Sequence, residues 1–201
     1  MNINRCSRTV TTYVIGIIFS VFLIGVFTNA AKAASVDVVE GDEWYYFKGT
    51  KEPPLKWNHI GFDKGAGDWF KGQTGIGYGH RRVRTQLRDM RNNYLTVYAR
   101  RDLTLSNAVY EFLQRDSIDL TLSIVCDGSF KVWLNGIEVI RSENERGIPR
   151  EDVQQASEID ITDFAQELLL PGKNVLAAEC SNDVIDSASF LFLPTLQVRQ
   201  R

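Results

Sequence analysis

The chain contains a series of short runs in which apolar and polar residues alternate. A period of two is typical of a strand that buries one of its faces. The runs are rich in β-branched and aromatic residues, which favour strands over helices. They predict strands over residues 44–47, 95–103, 117–125, 130–134, 137–141, 157–161, 175–180 and 190–198.

The clearest local signal is a β-hairpin centred on Asn135-Gly136. This dipeptide separates the runs at 130–134 and 137–141, and it tolerates the positive φ values of a type I′ turn. Helical signal is confined to residues 162–170, where Thr162 is the candidate cap and Pro171-Gly172 the stop. The pattern as a whole predicts an all-β fold.

Residues 50–79 form the least patterned stretch. They include two prolines and seven glycines, so we expect them to run over the surface as a long loop. Such a loop either binds a ligand or covers part of the fold.

The N-terminus has the features of a secretory signal peptide. Arg5 and Arg8 precede an apolar run at 13–27, and Ala31-Lys32-Ala33 places small residues at a cleavage site. The run is shorter than the roughly 20 residues that a membrane-spanning helix needs. We predict residues 1–33 to be the signal peptide and 34–201 a single secreted or periplasmic domain with no membrane span. An uncleaved anchor is the alternative.

Charge and composition narrow the classes of partner that the protein is expected to bind. The chain has 23 basic and 25 acidic residues, a formal charge of −2, which becomes −5 once the three basic residues of the signal are removed. A chain without a basic field is not expected to bind nucleic acid. The two histidines and three dispersed cysteines do not have zinc-site spacing.

Cys126 and Cys180 are the cysteines that remain after signal cleavage. Both fall in predicted strands, and an oxidising compartment permits a disulfide between them. The alternative is two separately buried thiols, because a bridge requires Cα atoms within about 7 Å. The sequence leaves both alternatives open.

Three stretches in chain order resemble the jelly-roll sugar-binding domain of β-galactosidase and β-glucuronidase type glycoside hydrolases, part of the galactose-binding-like superfamily. They lie at 97–101, at 132–139, and at 160–162 together with 172–177. The opening at 44–54, the glycine-rich motif at 75–79 and the final run at 190–194 are similar to jelly-roll modules of large secreted bacterial proteins.

The resemblance implies a jelly-roll β-sandwich. The sequence departs from the family pattern in two places. An insertion with Gly65 and Gly67 precedes Trp69, and Cys126-Asp127-Gly128 stands where two acidic residues usually precede a glycine. The remaining length is too short for a catalytic barrel of about 200 residues or more, so we expect the module to stand alone. The superfamily also implies a possible structural calcium ion, for which the sequence indicates no ligands; no other cofactor is expected.

Aromatic residues are the candidate ligand platform, because a sugar ring stacks on them. We expect Trp44, Trp69 and Trp133 to be structural. Trp57 and Tyr78 lie in the loop-rich part and are predicted to be exposed, and His80 and Arg81 are polar candidates beside them. These four residues form the predicted ligand-binding site.

Four acidic residues could serve a glycosidase: Glu52, Asp63, Asp68 and Asp89. We interpret them as carboxylates that cap turns, and therefore predict no catalytic residues. The favoured hypothesis is a secreted carbohydrate-binding module that acts alone or as an accessory subunit. The alternative is an assembly module that binds an envelope protein, and a small glycan-active enzyme ranks below both.

Overall fold

A computed structural model of the chain describes residues 36–65, 67–142 and 157–201. They belong to one compact unit, Val36–Arg201. The predicted signal peptide lies outside the described residues. No helix in the described ranges combines the length and apolar character needed to cross a bilayer.

The described residues form eleven strands and two short helices. The strands are β1 (Glu43–Lys48), β2 (Trp69–Gln73), β3 (Ile76–Tyr78), β4 (Thr85–Gln86), β5 (Thr96–Leu105), β6 (Ile118–Cys126), β7 (Phe130–Leu134), β8 (Ile137–Arg141), β9 (Ser157–Asp160), β10 (Gly172–Ser181) and β11 (Phe190–Gln200). The helices are α1 (Asn107–Gln114) and α2 (Thr162–Leu168).

The strands make two sheets. One has six strands in the order β2-β1-β5-β10-β7-β8, and the other has five in the order β4-β3-β11-β6-β9. Apart from the parallel β3–β4 pair, the paired strands of the described chain are antiparallel. The all-β sandwich expected from the sequence is confirmed.

The main core lies between the sheets because alternate residues of each strand point inward. In β6, Leu120 and Leu122 are buried whereas Thr121 is only partly buried. Trp44 of the six-stranded sheet meets Phe192 of the other sheet edge to face, with ring centroids 6.0 Å apart. Its predicted core position is confirmed.

A disulfide joins the two sheets. Cys126 ends β6 in one sheet and Cys180 lies in β10 of the other, with their Cα atoms 5.9 Å apart. Of the two alternatives that the sequence left open, the bridge is therefore the one present.

Two motifs of the family resemblance meet through a pair of asparagines. The Asn135 Nδ2 donates to Asn174 Oδ1 at 2.9 Å and to the Leu168 carbonyl at 2.7 Å. The Asn174 Nδ2 in turn donates to the Leu170 carbonyl at 2.7 Å. The β7–β8 hairpin and the turn before β10 are thus locked together. The hairpin itself has positive φ at Asn135 and Gly136, as predicted.

All eight predicted strands are present, but the glycine-rich region was misjudged. Residues expected to form only a loop include β2 and β3, and the 75–79 motif contains a strand rather than only a turn. A Cβ at Gly77 would lie 1.9 Å from the Phe190 carbonyl oxygen, and one at Gly79 would lie 2.2 Å from that of Ala188. Glycine is needed because two backbones approach closely there.

The helices also differ from expectation. Helix α1 was not predicted; Ser106 caps it by accepting a hydrogen bond from the Val109 amide at 3.3 Å. Helix α2 ends at Leu168, and its cap residue is Ile161, so the assignment of Thr162 as the cap was wrong. The Thr162 hydroxyl instead donates to Asp160 and accepts from the Leu120 amide.

Candidate functional site

The outer face of the six-stranded sheet is covered by residues 49–65, 67 and 68, which we call the covering segment. Beneath it the sheet presents Val175 and Ala177, both buried. Aromatic side chains from the sheet and the segment pack there in one cluster: Phe47, Trp57, Phe62, Trp69, Tyr98 and Trp133. The face is thus a second, smaller core outside the sandwich.

Trp57 is the centre of this cluster. Its ring centroid lies 5.5 Å from those of Tyr98 and Trp133 and 5.8 Å from that of Trp69. Its side chain is 9% exposed, so the expectation of an exposed Trp57 was wrong. The physical reason is that the sheet offers an apolar outer face, which the indole covers. Trp69 and Trp133 were rightly expected to pack, and both are partly buried here.

Arg100 of β5 holds the covering segment against the sheet, and we call its hydrogen bonds to the Trp57 and His59 carbonyls the clamp. It is 1% exposed, and its Nη1 donates to the Trp57 carbonyl at 2.6 Å and to the His59 carbonyl at 3.2 Å. Its Nη2 donates to Asp102 Oδ1 at 2.9 Å, whereas its buried Nε has no protein partner. A buried guanidinium is therefore held in a fixed orientation.

Asp102 connects the Arg100 guanidinium to Lys64, which lies near the end of the covering segment. Its second carboxylate oxygen, Oδ2, forms an ion pair with Lys64 Nζ. Partial burial by itself would raise the pKa of Asp102, but the hydrogen bonds from Lys64 and Arg100 outweigh it and hold that pKa below its usual value. Asp102 is thus ionised at neutral pH.

A cleft of about 220 Å³ opens beside this clamp. It lies between the covering segment and the adjoining strands β5 and β10. Its lining includes apolar Ile60, Phe62 and Val175, and charged Lys64, Arg100, Asp102 and Lys173. An apolar wall with a few polar groups is the usual composition of a small-molecule site.

Tyr78 lies elsewhere and is also buried, contrary to expectation. It belongs to β3 and to the core between the sheets, is 8% exposed, and donates from its hydroxyl to the Ser187 carbonyl at 3.0 Å. Burial raises the pKa of this hydroxyl. The side chain faces inward because β3 pairs with β11.

His80 and Arg81 follow β3 and are more accessible. His80 is partly buried and its Nδ1 accepts from the Arg82 amide at 3.1 Å, whereas Arg81 is exposed. Arg81 lines an open depression together with Glu40, which pairs with Arg82 at 2.8 Å. The structure therefore places the four predicted residues in three environments instead of one site.

Sequence reasoning missed the charged residues of the cleft. The Val97–Arg101 stretch served only as a fold marker, although Arg100 carries the clamp. One signal was available, since a charged residue in a predicted strand must find partners if it is buried. No feature of the sequence indicated that Lys64 and Asp102 would meet.

Each of the four loop acids has a hydrogen-bond or ion-pair partner. Asp68 pairs with Lys51 at 2.7 Å and Asp89 with Lys48 at 2.8 Å. Glu52 accepts from the Tyr98 hydroxyl at 3.3 Å, and Asp63 accepts from a backbone amide two residues later. Within the described ranges, no three His, Cys, Asp or Glu side chains are grouped to hold a metal ion.

Solved structures of glycoside hydrolase family 2 proteins share this fold. A member from Bacteroides cellulosilyticus aligns with a TM-score of 0.53 at 12% identity, over 83% of this chain and 21% of that one. A β-glucuronidase from an uncultured Clostridium species aligns with a TM-score of 0.51 at 12% identity, over 82% of this chain and 28% of that one.

The chain thus spans between a fifth and a third of the length of those proteins. No protein-family model and no curated protein sequence matches it. At such low identity the likeness shows the fold alone. It shows that the described chain has the β-sandwich fold of a part of those glycoside hydrolase proteins, as the sequence resemblance led us to expect.

Proposed function

We propose that the chain is a non-catalytic carbohydrate-binding module, acting alone or as an accessory subunit, and that it binds a saccharide in the cleft beside Arg100. The observation that carries the proposal is the cleft's lining, in which Phe62 and Ile60 lie beside charged groups. Sugar rings present C–H faces to aromatic side chains, and their hydroxyls bond to polar groups. The shared fold with glycoside hydrolase chains supports the same ligand class.

The acid chemistry of the cleft argues against glycoside hydrolysis. That reaction uses two carboxylates about 5–9.5 Å apart, whereas Asp102 is the one acid in the cleft's lining. Lys64 and Arg100 keep its pKa low, which makes it a poor proton donor at neutral pH.

We further propose that residues 1–33 direct export and that residues 34–201 form a single secreted or periplasmic domain. The Cys126–Cys180 bridge supports this, because disulfides persist in oxidising compartments. A structural calcium ion remains part of the proposal and is tested with the ligand.

The test is a glycan array probed with the purified protein, once with calcium and once with chelator. Phe62→Ala removes the aromatic wall and is expected to abolish or greatly weaken binding. Phe112→Ala is the control, since Phe112 is an exposed phenylalanine on α1 outside the cleft. Equal binding by both variants would contradict the cleft assignment.

The array also tests the sequence-based alternative. If the saccharide binds beside His80 and Arg81, then Arg81→Ala loses binding while Phe62→Ala retains it. Sensitivity to chelator would add the calcium ion. A folded protein that binds no glycan under either condition would contradict the proposed function.

A second candidate is an assembly module that binds an envelope protein. The observation that favours it is a pair of exposed apolar residues, Val184 and Ile185, in the loop between β10 and β11. Exposed apolar side chains at one place are typical of protein contacts. A pull-down from the envelope fraction with the native protein and with Val184→Ser/Ile185→Ser would test it, and capture independent of these residues would count against it.

A further inference from the structure

We infer that the ligand of the cleft carries a negative charge, so that the saccharide is an acidic one with a uronate carboxylate or a sulfate ester. The inference rests on the proposed function and concerns the same site. It begins from the balance of charged residues that line the cleft.

The lining contains more cations than anions. Lys64, Arg100 and Lys173 are basic, and Asp102 is the acidic residue among those that line the cleft. Asp102 already divides its charge between two partners, since Oδ1 accepts from Arg100 and Oδ2 pairs with Lys64. The cleft is therefore left with a formal excess of two positive charges.

This excess disfavours a neutral ligand. A ligand that fills the cleft displaces water from the Lys64 and Lys173 ammonium groups, and removing water from a charge is costly unless an opposite charge replaces it. A sugar hydroxyl supplies a hydrogen bond but no charge. A carboxylate or sulfate supplies both, in a charge-assisted hydrogen bond that is stronger than a neutral one.

Arg100 contributes a positive charge that is already held in place at the wall of the cleft. The Trp57 and His59 carbonyls hold its guanidinium, and its buried Nε–H has no partner within the protein. A guanidinium that is fixed before binding loses little side-chain entropy when an anion arrives. Its fixed positive charge at the wall of the cleft acts with that of Lys173 to favour the same ligand class.

The experiment compares acidic oligosaccharides with neutral derivatives of the same sugar backbone, by calorimetry with the full chain. Trigalacturonate is measured against its fully methyl-esterified form, and a sulfated galactose tetrasaccharide against its desulfated form. We expect at least one acidic member to bind about tenfold more tightly than its neutral partner, a difference of about 1.4 kcal/mol. Which pair shows the difference identifies a uronate or a sulfate.

Two variants connect the charge effect to the cleft. Lys173→Gln removes an exposed cation from the lining, and we expect it to weaken binding of the acidic member by about threefold to fivefold and not that of the neutral one. Lys131→Gln is the matched control, because Lys131 belongs to the same sheet but pairs with Glu179 outside the cleft. It should leave both affinities unchanged.

The outcomes separate this inference from the proposed function. Equal affinity for the acidic and neutral members, or preference for the neutral ones, would overturn the acidic ligand while leaving carbohydrate binding in place. Equal losses in Lys173→Gln and Lys131→Gln would overturn the role of the cleft's charge. No binding of any of the four, together with a silent glycan array, would overturn both.

Discussion

Some glycines in this protein are required only for their backbone conformation, whereas others are also required because another part of the chain lies too close for a side chain. Gly79 and Gly61 both have positive φ, at 69° and 80°. A Cβ at Gly79 would lie 2.2 Å from the Ala188 carbonyl oxygen, whereas one at Gly61 would have no atom within 4 Å. The pair therefore separates backbone strain from steric exclusion.

We expect Gly61→Ala to cost about 1 kcal/mol of unfolding free energy, because only the backbone conformation is disfavoured. Gly79→Ala should cost about 3 kcal/mol, since β3 must also move away from residue 188. Urea unfolding curves measure both values. Equal losses would show that the close approach at Gly79 carries no cost.

At the scale of elements, the covering segment is held by one buried side chain. Arg100→Met removes the donors to the Trp57 and His59 carbonyls, and we expect a loss of about 3 kcal/mol of unfolding free energy together with faster proteolysis within the covering segment. Arg101→Met is the control on the same strand. Arg101 pairs with Asp42 near the surface, so its loss should cost less than about 1 kcal/mol. Slow proteolysis of Arg100→Met would contradict the clamp.

The same clamp makes the covering segment sensitive to acid. The folded-state pKa of Asp102 is lowered, and an unfolded aspartate titrates near about 3.9. The stabilisation is therefore fully present above that pH and is lost as the pH falls through the lower folded value. We expect the urea midpoint of Asp102→Asn to vary less between about pH 6 and about pH 3 than that of the native protein. Asp183→Asn, at an exposed loop position, should match the native protein; parallel curves for all three would refute the effect.

At the scale of the whole molecule, the disulfide connects the sheets across 54 residues of sequence. Closing a loop of this length lowers the entropy of the unfolded chain. In the chain-entropy relation this raises the unfolding free energy by about 4 kcal/mol. We expect reduction to lower the melting temperature by about 10 °C. A Cys126→Ala/Cys180→Ala variant should melt at one temperature with or without reductant. If the native protein is also unaffected by reductant, the bridge does not stabilise it.

The sequence by itself determined those features that depend on neighbouring residues. The hairpin at Asn135-Gly136 was predictable because positive φ and strand alternation are local properties. The strand predicted over residues 117–125, which the structure shows as β6 (Ile118–Cys126), was predictable for the same reason. The strands β2 and β3 were missed because glycine-rich segments have no alternation to read, and they become strands only by pairing with β1 and β11.

The tertiary structure decided everything that depends on which distant residues meet. Trp57 has the flanking residues of a surface loop, yet it is buried because the six-stranded sheet has an apolar outer face. The bond between Cys126 and Cys180 depends on β6 and β10 lying opposite one another in the two sheets. The cleft arises where Lys64, Arg100 and Asp102 come together. Side-chain contacts between residues far apart in sequence are determined by how the strands and the covering segment pack, so the local sequence pattern does not predict them.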